Sequence, residues 1–335
     1  MNVVIAGVSM ELPPQVVTTD ELEARLAPLY QRIGLVPGRL ELMTGIKERR
    51  FWNTPIKPSE IAARAGKKAL AKAGIDRSRI GALVHGSVCR DFLEPATASV
   101  VHHLLELPRD AMAFDVSNAC LGVLTGVSVL QALIESGRIE AGLVVSGEDG
   151  RPLVDQTVAE LLADQSATRN SIKGAFASLT IGSGGAAIVV ARQDVLPQGH
   201  RIMTQVQQTA SEHHVLCQGG AQGTMAMATD AESLLHAGLD LAERGWKVLG
   251  PRIGPPSRVI THQVGRAHTR LLHERLGLDE SLGYVTYDRL GNVGSASLPI
   301  TLAMAEDAGL MKKGDTVALM GIGSGLQSLM MGIEW

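Results

Sequence analysis

Short apolar runs alternate with longer segments of helical periodicity along the chain. The apolar runs are nearly continuous and rich in β-branched residues, which is typical of strands buried on both faces of a sheet. We predict strands at 2–8, 80–88, 111–116, 141–148, 184–192, 257–264 and 315–324. We predict helices at 58–74, 120–137, 265–277 and 295–309. Strands that alternate with helices indicate an α/β protein built in layers.

A weak internal repeat relates the two halves of the chain. When the sequence is shifted by 172 residues, a loop, a helix and a buried strand fall on elements of the same type. At this offset Cys120 falls on Asn292, so a duplicated fold would bring these two residues close together. We therefore divide the chain into an N-terminal half, 1–192, and a C-terminal half, 193–335. The more polar segments 150–178 and 208–232 are interpreted as cap insertions that set substrate specificity.

Composition excludes several classes of function. The 335 residues are 45% hydrophobic with a net charge of −3, so no basic field indicates a nucleic acid or a membrane surface as partner. No apolar stretch approaches the roughly 18 residues of a membrane span, and the first residues lack a signal-peptide pattern. Three cysteines without metal-ligand spacing predict neither a disulfide framework nor a metal site. A reducing cytoplasm is the simplest location.

Three polar residues follow buried runs and form a chemically coherent set. They are Cys120 in "SNACLG", His262 in "VITHQV" and Asn292 in "RLGNVGS". A thiolate can attack an acyl thioester, and the start of a helix directly after Cys120 would lower the thiol pKa. His262 and Asn292 can donate hydrogen bonds to a developing oxyanion or enolate, and the glycine turn "GIGSG" (321–325) offers further backbone donors. The alternatives are a buried packing thiol, a hydrogen-bonded strand-end histidine and a turn asparagine.

Motifs around these residues resemble those of the ketoacyl synthase III-like condensing enzymes of the thiolase superfamily. The motifs are "DVSNACLG", "THQVGRAH", "GNVGSAS", "LMGIGSGL" and the N-terminal "TGIKERR". The resemblance spans essentially the whole chain and implies two duplicated βαβαβαββ halves in a five-layered αβαβα fold, assembled as a homodimer. It implies that Cys120 is acylated and that His262 and Asn292 act on the second substrate. It also implies that the backbone N–H groups of Cys120 and Ser324 hold the acyl oxygen.

One stretch narrows the resemblance to a branch of this family. "SVCRDFLEPATAS" (87–99) is similar to the OleA branch, which joins two acyl-CoAs head to head, and this implies that Glu94 reaches into the partner subunit's active site. A malonyl donor generates its enolate by losing CO₂, whereas two simple acyl-CoAs require a general base. A carboxylate shielded in an apolar tunnel would have the raised pKa that this base needs. The alternative is that Glu94 is an ordinary exposed loop carboxylate.

The way in which CoA is bound departs from the initiating ketoacyl synthases. Those enzymes carry a tryptophan and an arginine just before "TGI", where this chain has Arg39 and Met43. We predict that Arg49 and Arg50 contact substrate phosphates instead. The expected partners are acyl-CoA substrates, a second copy of the chain and downstream pathway enzymes, and no cofactor is expected.

Two other reactions stay open at this point. One is a decarboxylating 3-oxoacyl synthase III reaction with a malonyl thioester. The other is hydrolysis of the acyl thioester, or transfer of the acyl group to a nucleophile other than carbon.

Overall fold

A computed structural model describes residues 2–220 and 227–335. The strands of these residues, numbered in chain order, are β1 (Val3–Glu11), β2 (Gln15–Thr18), β3 (Glu48–Phe51), β4 (Ala82–His85), β5 (Met112–Asp115), β6 (Ala141–Glu148), β7 (Gly184–Arg192), β8 (His200–Thr209), β9 (Cys217–Gly219), β10 (Met227–Thr229), β11 (Arg258–Thr261), β12 (Thr316–Gly323) and β13 (Gln327–Glu334). The α-helices are α1 (Thr19–Arg25), α2 (Ala27–Ile33), α3 (Arg39–Thr44), α4 (Pro58–Ala73), α5 (Thr97–Leu104), α6 (Gly122–Glu135), α7 (Arg151–Ala163), α8 (Phe176–Leu179), α9 (Ala231–Ile253), α10 (Arg266–Leu276), α11 (Tyr287–Leu290) and α12 (Ser297–Asp307).

The main sheet consists of two similar sets of strands. Its order is β11-β12-β13-β8-β1-β7-β6-β4-β5, and a short pairing at Val4 and Ile5 of β1 joins the two sets. In the N-terminal set β4 and β6 are parallel, and β6, β7 and β1 then alternate in direction. In the C-terminal set β11 and β12 are parallel, and β12, β13 and β8 alternate in the same way. This repeated strand order confirms the duplicated α/β fold, while the residue limits of the two halves stay a prediction.

The structure corrects the offset between the two copies. A 3₁₀ turn at Ala119–Leu121 corresponds to one at Gly294–Ala296, α6 starts at Gly122 and α12 at Ser297, and the following strands start at Ala141 and Thr316. Each of these pairs differs by 175 positions rather than 172. The residue equivalent to Cys120 is therefore Ser295, and Asn292 lies three residues earlier on the equivalent loop. The shift of 172 followed coincident glycines and the shared helix end, which is why it missed the turn.

The helices and strands pack as five layers. Helices α4 and α5 cover one face of the N-terminal set, α6 and α12 lie between the two sets, and α9 and α10 cover the far face of the C-terminal set. Helix α6 contains Gly122 and Gly126, and each glycine lowers helix stability by about 1 kcal/mol relative to alanine. Full burial of Leu124, Leu130 and Ile134 contributes about 1.5–3 kcal/mol for each side chain, so packing rather than helix propensity holds this helix.

Eight of the twelve α-helices in the described residues were not predicted, and α7 and α9 are the longest of them. Helix α7 lies in the segment interpreted as a cap, and α9 follows the second such segment. Helix α9 carries three internal glycines and Pro251, residues that punctuate a helical pattern and hid its periodicity. Part of the second segment, 221–226, lies outside the described residues. Within the described ranges, none of the helices is both long and apolar enough to span a bilayer.

Candidate active site

Cys120 lies in the tight turn that joins β5 to α6. The turn is the 3₁₀ segment Ala119–Leu121, and Ala119 has a φ of 44°, in the left-handed region that L residues rarely adopt. Such a backbone conformation costs on the order of 1–2 kcal/mol and is found where surrounding structure enforces it. Here Asn118 donates from Nδ2 to Thr125 Oγ1 at 2.8 Å, which ties the turn to the first turns of α6. The turn thus holds Cys120 directly before the helix.

The close approach of two glycines fixes this turn against the sheet. A Cβ atom at Gly122 would lie 2.3 Å from the carbonyl oxygen of Gly86, just beyond β4, and a Cβ at Gly86 would lie 2.5 Å from Gly122. Real Cβ contacts are never this short, so neither glycine can carry a side chain without moving the turn. The start of α6, and Cys120 with it, therefore rests directly on the backbone at the end of β4.

The prediction that the helix start lowers the Cys120 pKa is wrong. Burial of the thiol, together with the negative charge of Glu148 and a smaller contribution from Cys217, raises its pKa to about 12. The helix start before which Cys120 lies does not compensate for lost hydration and a nearby carboxylate. The resting nucleophile is consequently a neutral thiol whose proton has to leave during attack on the substrate.

His262 directly follows β11 and is buried. Its backbone N–H donates to the carbonyl of Met320 on β12 at 3.0 Å, which fixes the residue beside the strand whose far end reaches Cys120. Burial, with a smaller contribution from the neighbouring His268, lowers the pKa of His262 to about 3. Among the described residues no group hydrogen-bonds to Nδ1 of His262. His262 is therefore a neutral imidazole that is available to a substrate or to the thiol proton.

Asn292 is held by its backbone and by one end of its amide. Its N–H donates to the carbonyl of Thr180 at 2.9 Å, and its own carbonyl accepts from the N–H of Gly182 at 2.9 Å. The side-chain oxygen Oδ1 accepts from the N–H of Gly294 at 3.0 Å and from Oγ of Ser297 at 3.4 Å. Because Oδ1 is occupied, the Nδ2 group is the part of Asn292 left to donate to a substrate oxygen.

The structure brings these loops together at one end of the central layer. The turn that contains Cys120 contacts both the turn that follows Asn292 and the end of β12. A Cβ atom at Gly323, the last residue of β12, would lie 3.4 Å from the backbone nitrogen of Cys120. Ser324 comes next in the chain, so the N–H groups of Cys120 and Ser324 lie on adjoining backbone segments. Their joint role as an oxyanion hole stays a prediction.

The predicted contact between Arg49 and a substrate phosphate is not supported by its position. Arg49 is fully buried, and its guanidinium donates to Thr19 Oγ1 at 3.2 Å and to the carbonyl of Leu179 at 3.1 Å. Burial lowers the pKa of this side chain to about 10. Arg49 therefore joins β3 to neighbouring segments from inside the protein. Arg50 is half-buried and donates to the carbonyl of Pro13 at 3.3 Å, and its role toward substrate stays a prediction.

Glu94 lies on the surface of its own chain. It is exposed, in a loop between β4 and α5 whose neighbouring Leu93 is 97% exposed and Phe92 is 47% exposed. A carboxylate in this position is solvated rather than shielded within one chain. Its action on the partner's site stays a prediction.

Sequence reasoning missed two groups near the nucleophile. His268 on α10 is close enough to affect His262, and burial lowers its own pKa to about 4. Glu148, the last residue of β6, has a buried carboxylate that raises the pKa of Cys120. The sequence feature that could have indicated Glu148 is its position as a carboxylate at the end of an apolar predicted strand.

Comparison with known proteins decides the family. Three family models match the chain: the N-terminal domain of thiolase over residues 42–151, 3-oxoacyl-[acyl-carrier-protein] synthase III over residues 114–211, and the C-terminal domain of that synthase over residues 256–335. The acyl-CoA:acyl-CoA alkyltransferase of Shewanella oneidensis is 41% identical over 100% of this chain and 99% of its own length. The chain belongs to the acyl-CoA:acyl-CoA alkyltransferase family. It is an enzyme of the acyltransferase kind with the thiolase fold.

Other relatives agree with this assignment. The alkyltransferase of Xanthomonas campestris is 36% identical over 100% of this chain and 99% of that protein. A crystal structure of a Xanthomonas campestris OleA variant with bound lauric acid and lauroyl-CoA has a TM-score of 0.95 to the present chain, with 36% identity. It covers 100% of this chain and 99% of its own. The recognised family and the five-layered fold are thereby confirmed.

The raised pKa of Cys120 predicts an unusual dependence of its alkylation on pH. With iodoacetamide, we expect the rate at Cys120 to rise about tenfold for each pH unit from 7 to 10, because the thiolate stays a minor species throughout. A free cysteine peptide, with a pKa of about 8.5, should level off within this range. Peptide mass spectrometry would follow Cys120 separately from Cys89 and Cys217. A plateau for Cys120 below pH 8 would show that its pKa is lowered instead.

Proposed function

We propose that this alkyltransferase joins two fatty acyl-CoAs by a Claisen condensation without decarboxylation. The observation that carries the proposal is that the turn with Cys120 contacts both the turn after Asn292 and β12, the strand to which His262 is hydrogen-bonded, in a chain of this family. The products are a 2-alkyl-3-ketoacyl-CoA and one free CoA. Such a β-keto thioester requires a following enzyme class that reduces or releases it, as in the biosynthesis of long-chain olefins or ketones.

The first half-reaction acylates Cys120. The thiol of Cys120 attacks the carbonyl carbon of the first acyl-CoA, and the thiol proton passes to the departing CoA sulfur, with the neutral imidazole of His262 as a carrier. A thioester bond to Cys120 forms and the bond to CoA breaks. The backbone N–H groups of Cys120 and Ser324 hold the negative oxygen of the tetrahedral intermediate. A neutral thiol and a neutral imidazole suit this order, because no resting ion pair has to be maintained.

The second half-reaction forms the carbon–carbon bond. Glu94 of one subunit removes an α-proton from the second acyl-CoA in the other subunit's site, and His262 and Asn292 donate hydrogen bonds to the enolate oxygen. The enolate carbon attacks the acyl group on Cys120, the bond from that carbonyl to sulfur breaks, and the Cys120 thiolate takes up a proton while Glu94 releases the abstracted one to solvent. No redox step and no cofactor is needed in either half-reaction. Removal of an α-proton by a shielded carboxylate replaces the loss of CO₂ from a malonyl donor.

A homodimer that pairs through β5 would allow this use of Glu94. Strand β5 is an edge of the nine-stranded sheet, and its side chains are only partly covered in one chain. An uncovered edge strand is prone to pair with another strand. The apolar loop tip of Phe92 and Leu93 is next to this edge, because Asp115 of β5 accepts hydrogen bonds from the N–H groups that start α5. Pairing of two β5 strands would bury this tip, and Glu94 with it, against the partner.

We expect a charge on the loop tip to weaken the dimer. In a Leu93→Asp variant the aspartate would have to be desolvated at the interface, so the monomer fraction should rise and condensation should fall with it. Light scattering during gel filtration gives the mass at several protein concentrations. The matched control is Val36→Asp, which changes an exposed apolar residue on the α2–α3 connection and should stay dimeric. A dimer of unchanged strength in Leu93→Asp would exclude this loop from the interface.

The test of the function uses one long-chain acyl-CoA as the only substrate. We expect a condensed β-keto thioester and one equivalent of free CoA without malonyl-CoA. Product that forms only with a malonyl thioester would indicate the decarboxylating reaction instead. Release of free fatty acid without any condensed product would indicate a hydrolase. In all three cases the acylation of Cys120, read by intact mass, shows that the enzyme used is competent.

The proposed location is the cytoplasm. Cys89, Cys120 and Cys217 are all free thiols, and a nucleophilic thiol is kept reduced in that compartment.

A further inference from the structure

Glu148 makes several hydrogen bonds beneath the candidate active site. Its side chain is buried, and its two oxygens accept from four donors. Oε1 accepts from the N–H of Val88 at 2.9 Å, from the N–H of Ser295 at 3.1 Å and from Oγ of Ser295 at 2.7 Å. Oε2 accepts from the N–H of Cys89 at 3.0 Å. A carboxylate with this many donors is held in one orientation.

These donors belong to two different functional loops. Val88 and Cys89 begin the loop that carries Glu94, and Ser295 lies in the turn that directly follows Asn292. Within one chain, this carboxylate therefore connects the loop that carries Glu94 to the loop that carries Asn292. Movement of either loop away from Glu148 would break at least one of these hydrogen bonds.

The connection continues into the sheet. Oγ of Ser295 lies 2.7 Å from Oγ of Ser146, which accepts from Oγ of Ser87 at 3.1 Å, and Ser87 in turn lies 2.9 Å from Nε2 of His85. All four side chains are buried. A buried network in which the members are hydrogen-bonded to one another is rigid, so it anchors Glu148 to β4 and β6.

The charge of Glu148 is unfavourable for acylation taken alone. It opposes formation of the Cys120 thiolate, as the raised pKa of that thiol shows. A contribution to catalysis must therefore come from its hydrogen bonds to the two loops rather than from its charge near the nucleophile.

We propose that Glu148 is a positioning residue that holds the Glu94 loop and the Asn292 loop in a fixed relation for the condensation step. The inference rests on the proposed function in so far as Glu94 is the base. It assigns Glu148 to the second half-reaction and not to acylation. Glu148 therefore has two separable effects, a charge that disfavours the Cys120 thiolate and hydrogen bonds that position two loops, and one substitution changes both.

The test is the Glu148→Gln variant, with acylation and condensation measured separately. A carboxamide keeps one acceptor oxygen, so the N–H of Cys89 faces an NH₂ group, and the loop loses a hydrogen bond and meets a repelling donor. Because a misplacement of about 1 Å can cost 10²-fold, we expect condensation to fall about 10- to 100-fold. Loss of the negative charge should move the alkylation profile of Cys120 to lower pH and leave acylation equal or faster.

Two matched variants complete the experiment. Ser295→Ala keeps the charge and removes one hydroxyl donor, so it should lower condensation with an unchanged alkylation profile of Cys120. Glu140→Gln alters an exposed carboxylate that pairs with Arg79 and Arg192, and it should behave like the wild type.

The outcomes separate this inference from the proposed function. A parallel loss of acylation and condensation in Glu148→Gln, or unchanged condensation, would overturn the positioning role. A wild type that joins an acyl-CoA only to malonyl-CoA would overturn the proposed function. Acylation and condensation rates of Glu148→Gln measured with malonyl-CoA would then still test the positioning role. The hydrogen bonds from Glu148 to the Asn292 loop do not depend on which substrate supplies the enolate.

Discussion

A Cys120→Ala chain should form no acyl-enzyme and no condensed product. Removal of a catalytic nucleophile lowers the rate by at least about 10⁴-fold, because neither half-reaction has an alternative atom on which to carry the acyl group. Intact-mass spectrometry after incubation with a long-chain acyl-CoA measures the first loss, and product analysis measures the second. The variant should remain folded, because the substitution removes one partly buried sulfur atom and keeps the backbone of the turn.

The matched control is Cys217→Ala. Cys217 is the second thiol that influences Cys120, and Thr229 Oγ1 donates to its sulfur at 3.5 Å, so it lies near the site without a proposed chemical role. We expect this variant to be acylated once, at Cys120. An acyl group found on Cys217 in the wild type, or acylation that persists in Cys120→Ala, would move the nucleophile to another residue.

Glu94→Gln should separate the two half-reactions. The carboxamide has nearly the same shape but cannot accept the α-proton, so condensation should fall about 10²- to 10⁴-fold, the usual contribution of a general base. Acylation of Cys120 should remain near the wild-type rate, because the first half-reaction needs no α-proton transfer. Glu106→Gln, at an exposed carboxylate beyond α5 that pairs with Arg77, is the matched control and should be silent.

Mixed dimers then test whether Glu94 acts across the interface. One subunit would carry Cys120→Ala and the other Glu94→Gln, and each homodimer of these chains should be inactive. If Glu94 serves the partner's site, one of the two sites in each mixed dimer has an intact Cys120 and an intact Glu94, so part of the activity should return. If Glu94 serves its own site, the mixed dimers should stay inactive, and the proposed arrangement of the dimer would be wrong.

The raised pKa of Cys120 illustrates a limit of reasoning from sequence. The position of Cys120 at a helix start was read correctly, although the helix predicted from residue 120 begins at Gly122, after a 3₁₀ turn. The direction of the pKa was wrong, because burial and the carboxylate of Glu148 act more strongly than the helix start. Burial is a property of all the segments that surround a thiol, and a local pattern does not contain it.

The internal repeat shows the same limit from another side. Coincident glycines identified a duplication and an approximate offset, and the repeated strand order confirms the duplication. Only the aligned turns show that Ser295, not Asn292, is the counterpart of Cys120. Glu148 then gains a meaning that no spacing indicates, because it touches residues that are 60 and 147 positions away.

The sequence by itself determined the layered α/β class and the family, and it predicted the three polar residues of the site, because periodicity and short motifs are local properties of the chain. The tertiary structure decided the protonation of Cys120 and His262, the internal role of Arg49 and the connection made by Glu148. Each of these depends on how much water and which charges remain around a group after distant segments have packed, and that is settled only when the chain has folded.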